Sequence, residues 1–177
     1  MVTGVHLTGK LRLLSSVSMS GRLILASSIV FFAACGGDPV GRVCDLGTDL
    51  PEASEVVVAS PSLDCVTRTC LRVPLSRELP PGSQFPDGTN GLCTANCSSD
   101  SDCERVPESP CITGFTCGIA VTVGPFCCQN FCICKDYVML PENGQLAEPK
   151  ACDAGNPDNG CCNLSGRVGN AAYPDCT

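Results

Sequence analysis

Cysteines constrain this chain more than any other residue type. There are 17 of them among 177 residues, together with no Trp and only 5% aromatic residues. A cysteine fraction near a tenth in a short chain is typical of a disulfide scaffold, and such scaffolds persist outside the reducing cytosol. Because large apolar side chains are so few, the hydrophobic core must be thin. Each disulfide contributes about 2–4 kcal/mol by restricting the unfolded chain, so we expect bridges to supply most of the stability.

The N-terminal region has the pattern of an export signal. Residues 23–34 form a 12-residue run without charge, too short to span a bilayer, and Arg22 supplies the positive flank. The segment Phe32-Ala33-Ala34-Cys35-Gly36 resembles the lipobox of bacterial lipoproteins, which implies cleavage before Cys35 and lipidation of that cysteine. The compact stretch that begins at Met19 predicts that translation starts there and that residues 1–18 are not part of the protein; the alternative is a start at Met1, which only lengthens the positive region of the same signal.

Cysteine parity agrees with a lipid on Cys35. Removing that residue leaves 16 cysteines, an even number that predicts eight bridges; the alternative is one unpaired thiol. Neighbouring cysteines, as at 127–128 and 161–162, must reach different partners because a ring closed between them is strained. The predicted disulfide-forming residues are Cys44, Cys65, Cys70, Cys93, Cys97, Cys103, Cys111, Cys117, Cys127, Cys128, Cys132, Cys134, Cys152, Cys161, Cys162 and Cys176.

Charge is distributed unevenly along the chain. All 18 acidic residues follow position 37, whereas eight basic residues follow Cys35, so the mature part carries a net charge of −10. This balance argues against nucleic acid and against anionic lipid headgroups as partners, and it favours solubility. The second mature residue is Gly36, not the Asp that retains enteric lipoproteins in the inner membrane. We therefore expect an outer-membrane protein held by its lipid.

The mature sequence predicts a small disulfide-rich fold, mostly β or irregular, in which short antiparallel strands are stapled by up to eight disulfides. Strands are predicted over residues 55–59, 66–73 and 118–123, and a loop over 74–90. Helix signals are weak, with one short turn capped by Ser98, Ser99 or Asp100. The predicted organisation is a signal peptide (1–34), a lipidated cysteine and tether (35–55), a cysteine-rich core (56–137) and a C-terminal extension with a second, smaller knot (138–177).

One local pattern resembles the WAP-type four-disulfide core. It consists of Cys97-Ser-Ser-Asp-Ser-Asp-Cys103 followed by Cys127-Cys128-x-x-x-Cys132. The resemblance implies that Cys97 pairs with Cys127 and that Cys103 pairs with Cys134. The spacing departs from that family, with 23 residues between Cys103 and Cys127. The segment that corresponds to the inhibitory loop keeps only residues 94–96, which are too few to enter a protease cleft.

A second resemblance covers residues 35–137. It depends on the lipobox and four further segments. These are Val-Cys-Asp-Leu-Gly at 43–47, Ser-Pro-Ser-Leu-Asp-Cys-Val-Thr-Arg-Thr-Cys-Leu at 60–71, the cysteine run at 93–103, and Val-Gly-Pro-Phe-Cys-Cys at 123–128 ending in Cys-Ile-Cys-Lys-Asp at 132–136. These motifs look like the cysteine-rich lipoproteins of myxobacteria, among them the adventurous gliding motility lipoproteins. The resemblance implies a non-catalytic role at the outer membrane, in motility or in contact between cells.

Metal and cofactor chemistry have little support in the sequence. No two cysteines have the C-x-x-C spacing that zinc and thioredoxin-like sites favour. Asp100, Asp102 and Glu104 are the candidate ligands for a calcium ion, although capping and turn roles account for the same residues. We therefore expect no cofactor and no bound metal.

Enzymatic activity is also not expected. The only histidine is His6, which precedes Cys35, so the mature chain lacks the base of Ser-His and Cys-His nucleophile systems. No motif for phosphate binding or metalloprotease chemistry occurs. The sequence thus predicts a lipid-anchored surface or assembly component that binds envelope or cell-surface proteins; the alternative is an extracellular ligand-binding or protease-inhibitor-like module.

Overall fold

A computed structural model describes residues 37–177 of the chain; the signal region and the lipidation residue, Cys35, lie outside them. This part contains eight short strands and two single-turn 3-10 helices, at Asp100–Asp102 and Lys150–Cys152. Within it, no helix has the length and apolar character needed to cross a membrane. The strands are β1 (Asp38–Val40), β2 (Val43–Asp45), β3 (Val57–Ala59), β4 (Thr69–Arg72), β5 (Asn90–Thr94), β6 (Cys103–Arg105), β7 (Phe115–Ile119) and β8 (Asn130–Cys134).

The strands form three small sheets. The main sheet is antiparallel, with the order β2-β5-β4-β3, and β7 pairs with β8 in an antiparallel hairpin. β1 pairs with β6 in parallel, with Asp38 opposite Cys103 and Val40 opposite Arg105. The predicted fold class is therefore confirmed: short, mostly antiparallel strands are joined by eight disulfides.

Different kinds of residue cover the two faces of the main sheet. Neighbouring residues of a strand point to opposite faces. On β4, Leu71 belongs to the apolar cluster that packs against the β7–β8 hairpin, where Phe131 and Ile133 are buried. Its neighbour Cys70 belongs to a second cluster formed mainly by cysteines. Disulfides thus replace the second apolar layer that so small a chain cannot provide.

Every cysteine after Cys35 is bridged, and both vicinal pairs reach separate partners, as predicted. The pairings implied by the WAP resemblance are wrong, because Cys127 is bridged to Cys161 of the C-terminal extension and Cys134 is bridged to Cys111; Cys97 pairs with Cys117 and Cys103 pairs with Cys132. The bridges are Cys44–Cys70, Cys65–Cys93, Cys97–Cys117, Cys103–Cys132, Cys111–Cys134, Cys127–Cys161, Cys128–Cys152 and Cys162–Cys176.

The C-terminal extension is held to the core by the bridges from Cys127 and Cys128. From Cys161 to Cys176 it is a run of five turns, in each of which the N–H of the last residue donates to the carbonyl oxygen of the first, at 161–164, 164–167, 167–170, 170–173 and 173–176. Gly166 and Gly169 have φ values of 76° and 73°, which suit the third position of such turns. The sequence showed no clear repeat here, although the hydrogen bonds of the turns recur every three residues.

Buried Arg167 is the centre of this run of turns. Its guanidinium donates to the carbonyl oxygen of Asn156 across 2.6 Å and lies 3.8 Å from the ring centroid of Tyr173. The arginine takes the place of an apolar core residue, since its stem is buried and its charge is held by a carbonyl group and an aromatic face.

Several predicted boundaries differ from the structure. The predicted tether over 35–55 contains β1 and β2, which pair with β6 and β5 because Val40 and Cys44 are buried in the core. The predicted strand over 118–123 ends at Ile119 as part of β7. After that residue the chain must turn away from the hairpin, because Cys127 and Cys128 bridge the C-terminal extension.

Candidate interaction surface

The short turn predicted to be capped by Ser98, Ser99 or Asp100 is the 3-10 turn Asp100–Asp102 with Ser99 as its N-cap, and two of the three candidate calcium ligands, Asp100 and Asp102, lie in it. Asp102 accepts the N–H groups of Ser98 and Ser99 at 2.7 and 2.9 Å. These hydrogen bonds lower the pKa of the Asp102 carboxyl. The carboxylate of Asp102 therefore caps the turn.

Asp100 makes a different set of bonds. It forms an ion pair with the Lys135 ammonium across 2.9 Å and accepts the N–H of Cys117 at 2.8 Å and the hydroxyl of Thr116. Burial raises the pKa of the Asp100 carboxyl, but the bonds from Lys135 and Cys117 outweigh it, and the pKa is lowered overall. The third residue, Glu104, lies exposed on β6. The carboxylate of Asp100 thus holds the turn on β7 and on Lys135, whereas that of Asp102 stabilises the turn from within.

Two cavities bear on small-molecule binding. One, of about 10 Å³, lies in the core between Phe85, Tyr137 and the main sheet, and it has room for no more than one water. The other is an open cleft of about 680 Å³ lined by polar groups that include Asn130, Asn143 and the Asp100–Lys135 pair. No aromatic ring lines this cleft, and its two charged groups neutralise each other. The first cavity is too small for a ligand, and the second lacks the apolar, enclosed character of most ligand sites.

The residues between β3 and β4, which we call the 60–68 loop, are fixed at both ends. The N–H of Ser62 donates to the carbonyl oxygen of Arg68 at 2.7 Å, and the N–H of Arg68 donates to that of Cys65 at 3.0 Å. The Thr67 hydroxyl donates to the Thr94 carbonyl oxygen at 2.5 Å. Arg68 itself has a φ of 62°, a left-handed conformation that closes the loop onto β4.

The middle of the 60–68 loop is tied down as well. Cys65 is 3% exposed and bridged to Cys93 of β5, with 5.3 Å between their Cα atoms. The carboxylate of Asp64 accepts the N–H of Asp45 at 3.0 Å, which joins the loop to β2. The loop therefore covers the cysteine-rich face of the main sheet as a rigid lid, held from β2, β4 and β5.

Two apolar side chains stand on this rigid loop. Leu63 is 82% exposed and Val66 is 78% exposed. Among the large hydrophobic residues of the described part, only Val123, at 79%, lies in the same range. They flank buried Cys65, so the bridge that fixes the backbone also fixes the positions from which both side chains project. A single exposed apolar residue is ordinary on a protein surface. Two on one immobilised segment form a candidate contact site.

No family model, curated protein or solved structure matches this chain. The interpretation of its surface therefore depends on its own geometry.

Leu63 and Val66 were not predicted as contact residues from the sequence. The predicted strand over 66–73 included Val66, which would place alternate residues inside, whereas the strand begins at Thr69 after a turn at 65–68. The turn residues Pro61, Ser62 and Asp64 were the signal that could have corrected this assignment. The position of Cys35, the predicted lipidation residue, lies outside the described residues.

Proposed function

We propose that this protein is an outer-membrane lipoprotein, anchored through Cys35, that acts as a non-catalytic surface or assembly component and binds a protein partner through the 60–68 loop. The observation that carries the proposal is the rigid presentation of Leu63 and Val66 by the Cys65–Cys93 bridge. The lipobox supports the anchor, and the resemblance to gliding motility lipoproteins supports a role in motility or contact between cells.

Energetics favour a protein partner over self-association. Burying a Leu or Val side chain releases about 1.5–3 kcal/mol, and a loop that is already ordered loses little further entropy on binding. A second copy would bring another net charge of −10 to the same contact. Asp45 and Asp64 are exposed beside the apolar pair, together with one cation, Arg68. We therefore expect a partner with an apolar pocket and a basic rim.

The non-catalytic part of the proposal is supported by composition. The mature sequence contains no histidine, and the carboxylates of the 98–102 turn are taken up by structural bonds. We expect the purified mature protein to hydrolyse no ester, peptide or glycoside substrate and to inhibit no secreted protease. Activity that disappears on replacing one Asp or Glu without loss of fold would contradict this part.

Complementation of a deletion strain tests the loop. The double variant Leu63→Ser/Val66→Ser should fail to restore gliding and contact-dependent rescue, although its abundance and disulfides are unchanged. The matched control is Met139→Ser/Val168→Ser, which removes two comparably exposed apolar side chains from other segments and should restore both. Full activity of the loop variant would overturn the proposed contact site, and a deletion without any motility defect would overturn the motility role.

Anchoring is tested by intact-mass measurement on protein extracted from the membrane. Cleavage before Cys35 and acylation of that residue should appear together as one mass. The Cys35→Ser variant should remain unacylated and should leave the membrane fraction. An uncleaved chain, or one cleaved at another site without a lipid, would overturn the lipoprotein proposal.

A further inference from the structure

The anchored protein has almost no spacer between its lipid and its folded body. We infer that it rests on the bilayer with one fixed face, defined by Gly37, Asp38, Asn96, Ser98 and Asp102 and called the anchor face, against zwitterionic lipid headgroups. This inference rests on the proposed lipidation of Cys35. It adds an orientation and a second, non-covalent contact with the membrane.

The chain length sets how close this face must be. Only Gly36 and Gly37 separate Cys35 from Asp38, the first residue of β1. An extended chain spans at most about 3.6 Å per residue, so Cys35 lies within about 7 Å of Gly37 and about 11 Å of Asp38. The acyl chains place the backbone of Cys35 at the level of the headgroups. The start of β1 must lie close to the same level.

Gly37 is already packed on the folded body. A Cβ atom at this position would lie 2.6 Å from the carbonyl oxygen of Asp102, so the backbone here touches the 3-10 turn directly. Gly37 and Asp38 line a shallow cleft with Asn96, Cys97, Ser98 and Asp102. These residues are therefore the ones that the short connection brings to the membrane.

β1 cannot detach from the core at low free-energy cost, so it cannot lengthen the connection between Cys35 and the folded body. Val40 is fully buried in the apolar core, and Asp38 is paired with Cys103, which is bridged to buried Cys132. Releasing β1 would expose Val40 and break the parallel pairing with β6. The anchor face and the rest of the core consequently move as one rigid body.

The charge of the anchor face selects the headgroup class. Asp38 lies within about 11 Å of Cys35, and Asp102 belongs to the turn that Gly37 touches. This distance is comparable to the Debye length of about 8–10 Å, so screening does not remove the repulsion of these carboxylates from anionic lipids. Ser98 and Asn96 are exposed and supply neutral hydrogen-bonding groups. A zwitterionic surface satisfies both conditions, whereas an anionic one is repelled.

The short connection to the lipid also limits where a binding partner can be. A body that lies on the bilayer without a flexible tether reaches only as far as its own dimensions. The protein that receives Leu63 and Val66 must therefore be in the same membrane or be brought against it by cell contact.

Lipid quenching of a fluorescent residue tests the orientation. The acylated mature protein, with a fluorescent amino acid at Ser98, is reconstituted into phosphatidylcholine vesicles that carry a nitroxide on their headgroups. The matched control has the same probe and a six-residue Gly-Ser insertion after Gly36, which adds about 13 Å of root-mean-square reach. We expect at least about twofold stronger quenching in the native spacing than in the insertion variant, with a smaller difference when anionic lipid is included. The Asp38→Asn variant should reduce that lipid dependence.

The outcomes separate this inference from the proposed function. Equal quenching in both acylated proteins would overturn the fixed anchor face and leave the lipoprotein proposal standing. Absence of acylation in the mass spectrum would overturn the proposed anchor and this inference together. Stronger quenching on anionic than on zwitterionic vesicles would overturn the headgroup assignment.

Discussion

The hydroxyl of Thr94 donates to the carbonyl oxygen of Cys132 across 2.8 Å, and this bond joins the main sheet to the β7–β8 hairpin. Thr94 is 1% exposed and lies at the end of β5, directly after bridged Cys93. A buried hydroxyl between two sheets is costly to remove because its partner loses a hydrogen bond where water has no access. The contact thus fixes how the two halves of the core meet.

Replacing Thr94 with Val keeps the shape of the side chain and removes the donor. We expect the oxidised Thr94→Val variant to lose about 1–2 kcal/mol of unfolding free energy, measured by denaturant titration. Thr48→Val is the matched control, since Thr48 is exposed, and it should change stability by less than about 0.5 kcal/mol. Equal effects of the two substitutions would show that the inter-sheet bond does not stabilise the fold.

Digestion without reduction tests the connection between the core and the C-terminal extension. Lys135 and Lys150 are the only lysines after Cys35, so a lysine-specific protease acting on the denatured, oxidised protein yields the cysteine-free peptide 136–150. The fragment 151–177 should remain attached through Cys127–Cys161 and Cys128–Cys152 until reductant is added. Its release without reductant would mean that the four C-terminal cysteines pair among themselves.

Stability should decrease in acid because of Asp136, which is fully buried. Burial raises the pKa of this carboxyl. Hydrogen bonds from the Thr113 hydroxyl and from the N–H groups of Ile112 and Thr113 lower the pKa by more than burial raises it, so the folded-state pKa lies below the unfolded value. A depressed pKa gives stability that is present above the unfolded value of about 3.9 and is lost as the pH falls through the folded value.

Unfolding curves between about pH 6 and about pH 2 measure this effect. Asp136→Asn should be less stable than the native protein near neutral pH and should show a flatter loss of stability in acid. Asp175→Asn, at an exposed carboxyl in the C-terminal extension, should keep the native profile. An unchanged acid profile in Asp136→Asn would assign the effect to other groups.

Gly91 allows β4 and β5 to approach closely. A Cβ atom at this position would lie 2.7 Å from the carbonyl oxygen of Leu71, whereas nothing lies within 4 Å of a Cβ at Gly160. Gly91→Ala should therefore destabilise the protein by about 1–3 kcal/mol through a forced shift of the strands, and Gly160→Ala should be nearly neutral. Thermal unfolding of the two variants compares them directly.

Leu63 and Leu71 provide a contrast between a contact residue and a core residue. Leu63→Ser should change the unfolding free energy by less than about 0.5 kcal/mol, since the side chain is 82% exposed. Leu71→Ala should cost about 2–5 kcal/mol, because Leu71 is 6% exposed within the apolar cluster. A large loss of stability in Leu63→Ser would indicate that the residue has a structural role.

The disulfide-rich fold class was predictable because it follows from counting residues. With 16 cysteines after Cys35 and few aromatic side chains, bridges had to supply the stability. The separate partners of Cys127 and Cys128 followed from ring strain, and the turn near Ser99 followed from its capping residues. These conclusions depend only on local chemistry and composition.

Pairing and surface required the tertiary structure. Cys97 is bridged to Cys117 and Cys103 to Cys132, because β6, β7 and β8 pack side by side. The spacing of cysteines along the chain does not encode which strands become neighbours. Val66 looked like a strand residue until the turn at 65–68 was seen to be held by Thr94 and Cys93, which are distant in sequence. Composition alone makes this chain rich in disulfides, acidic and poor in large apolar side chains. Only the folded arrangement decided which side chains it exposes on rigid backbone, because that depends on contacts between residues far apart in the chain.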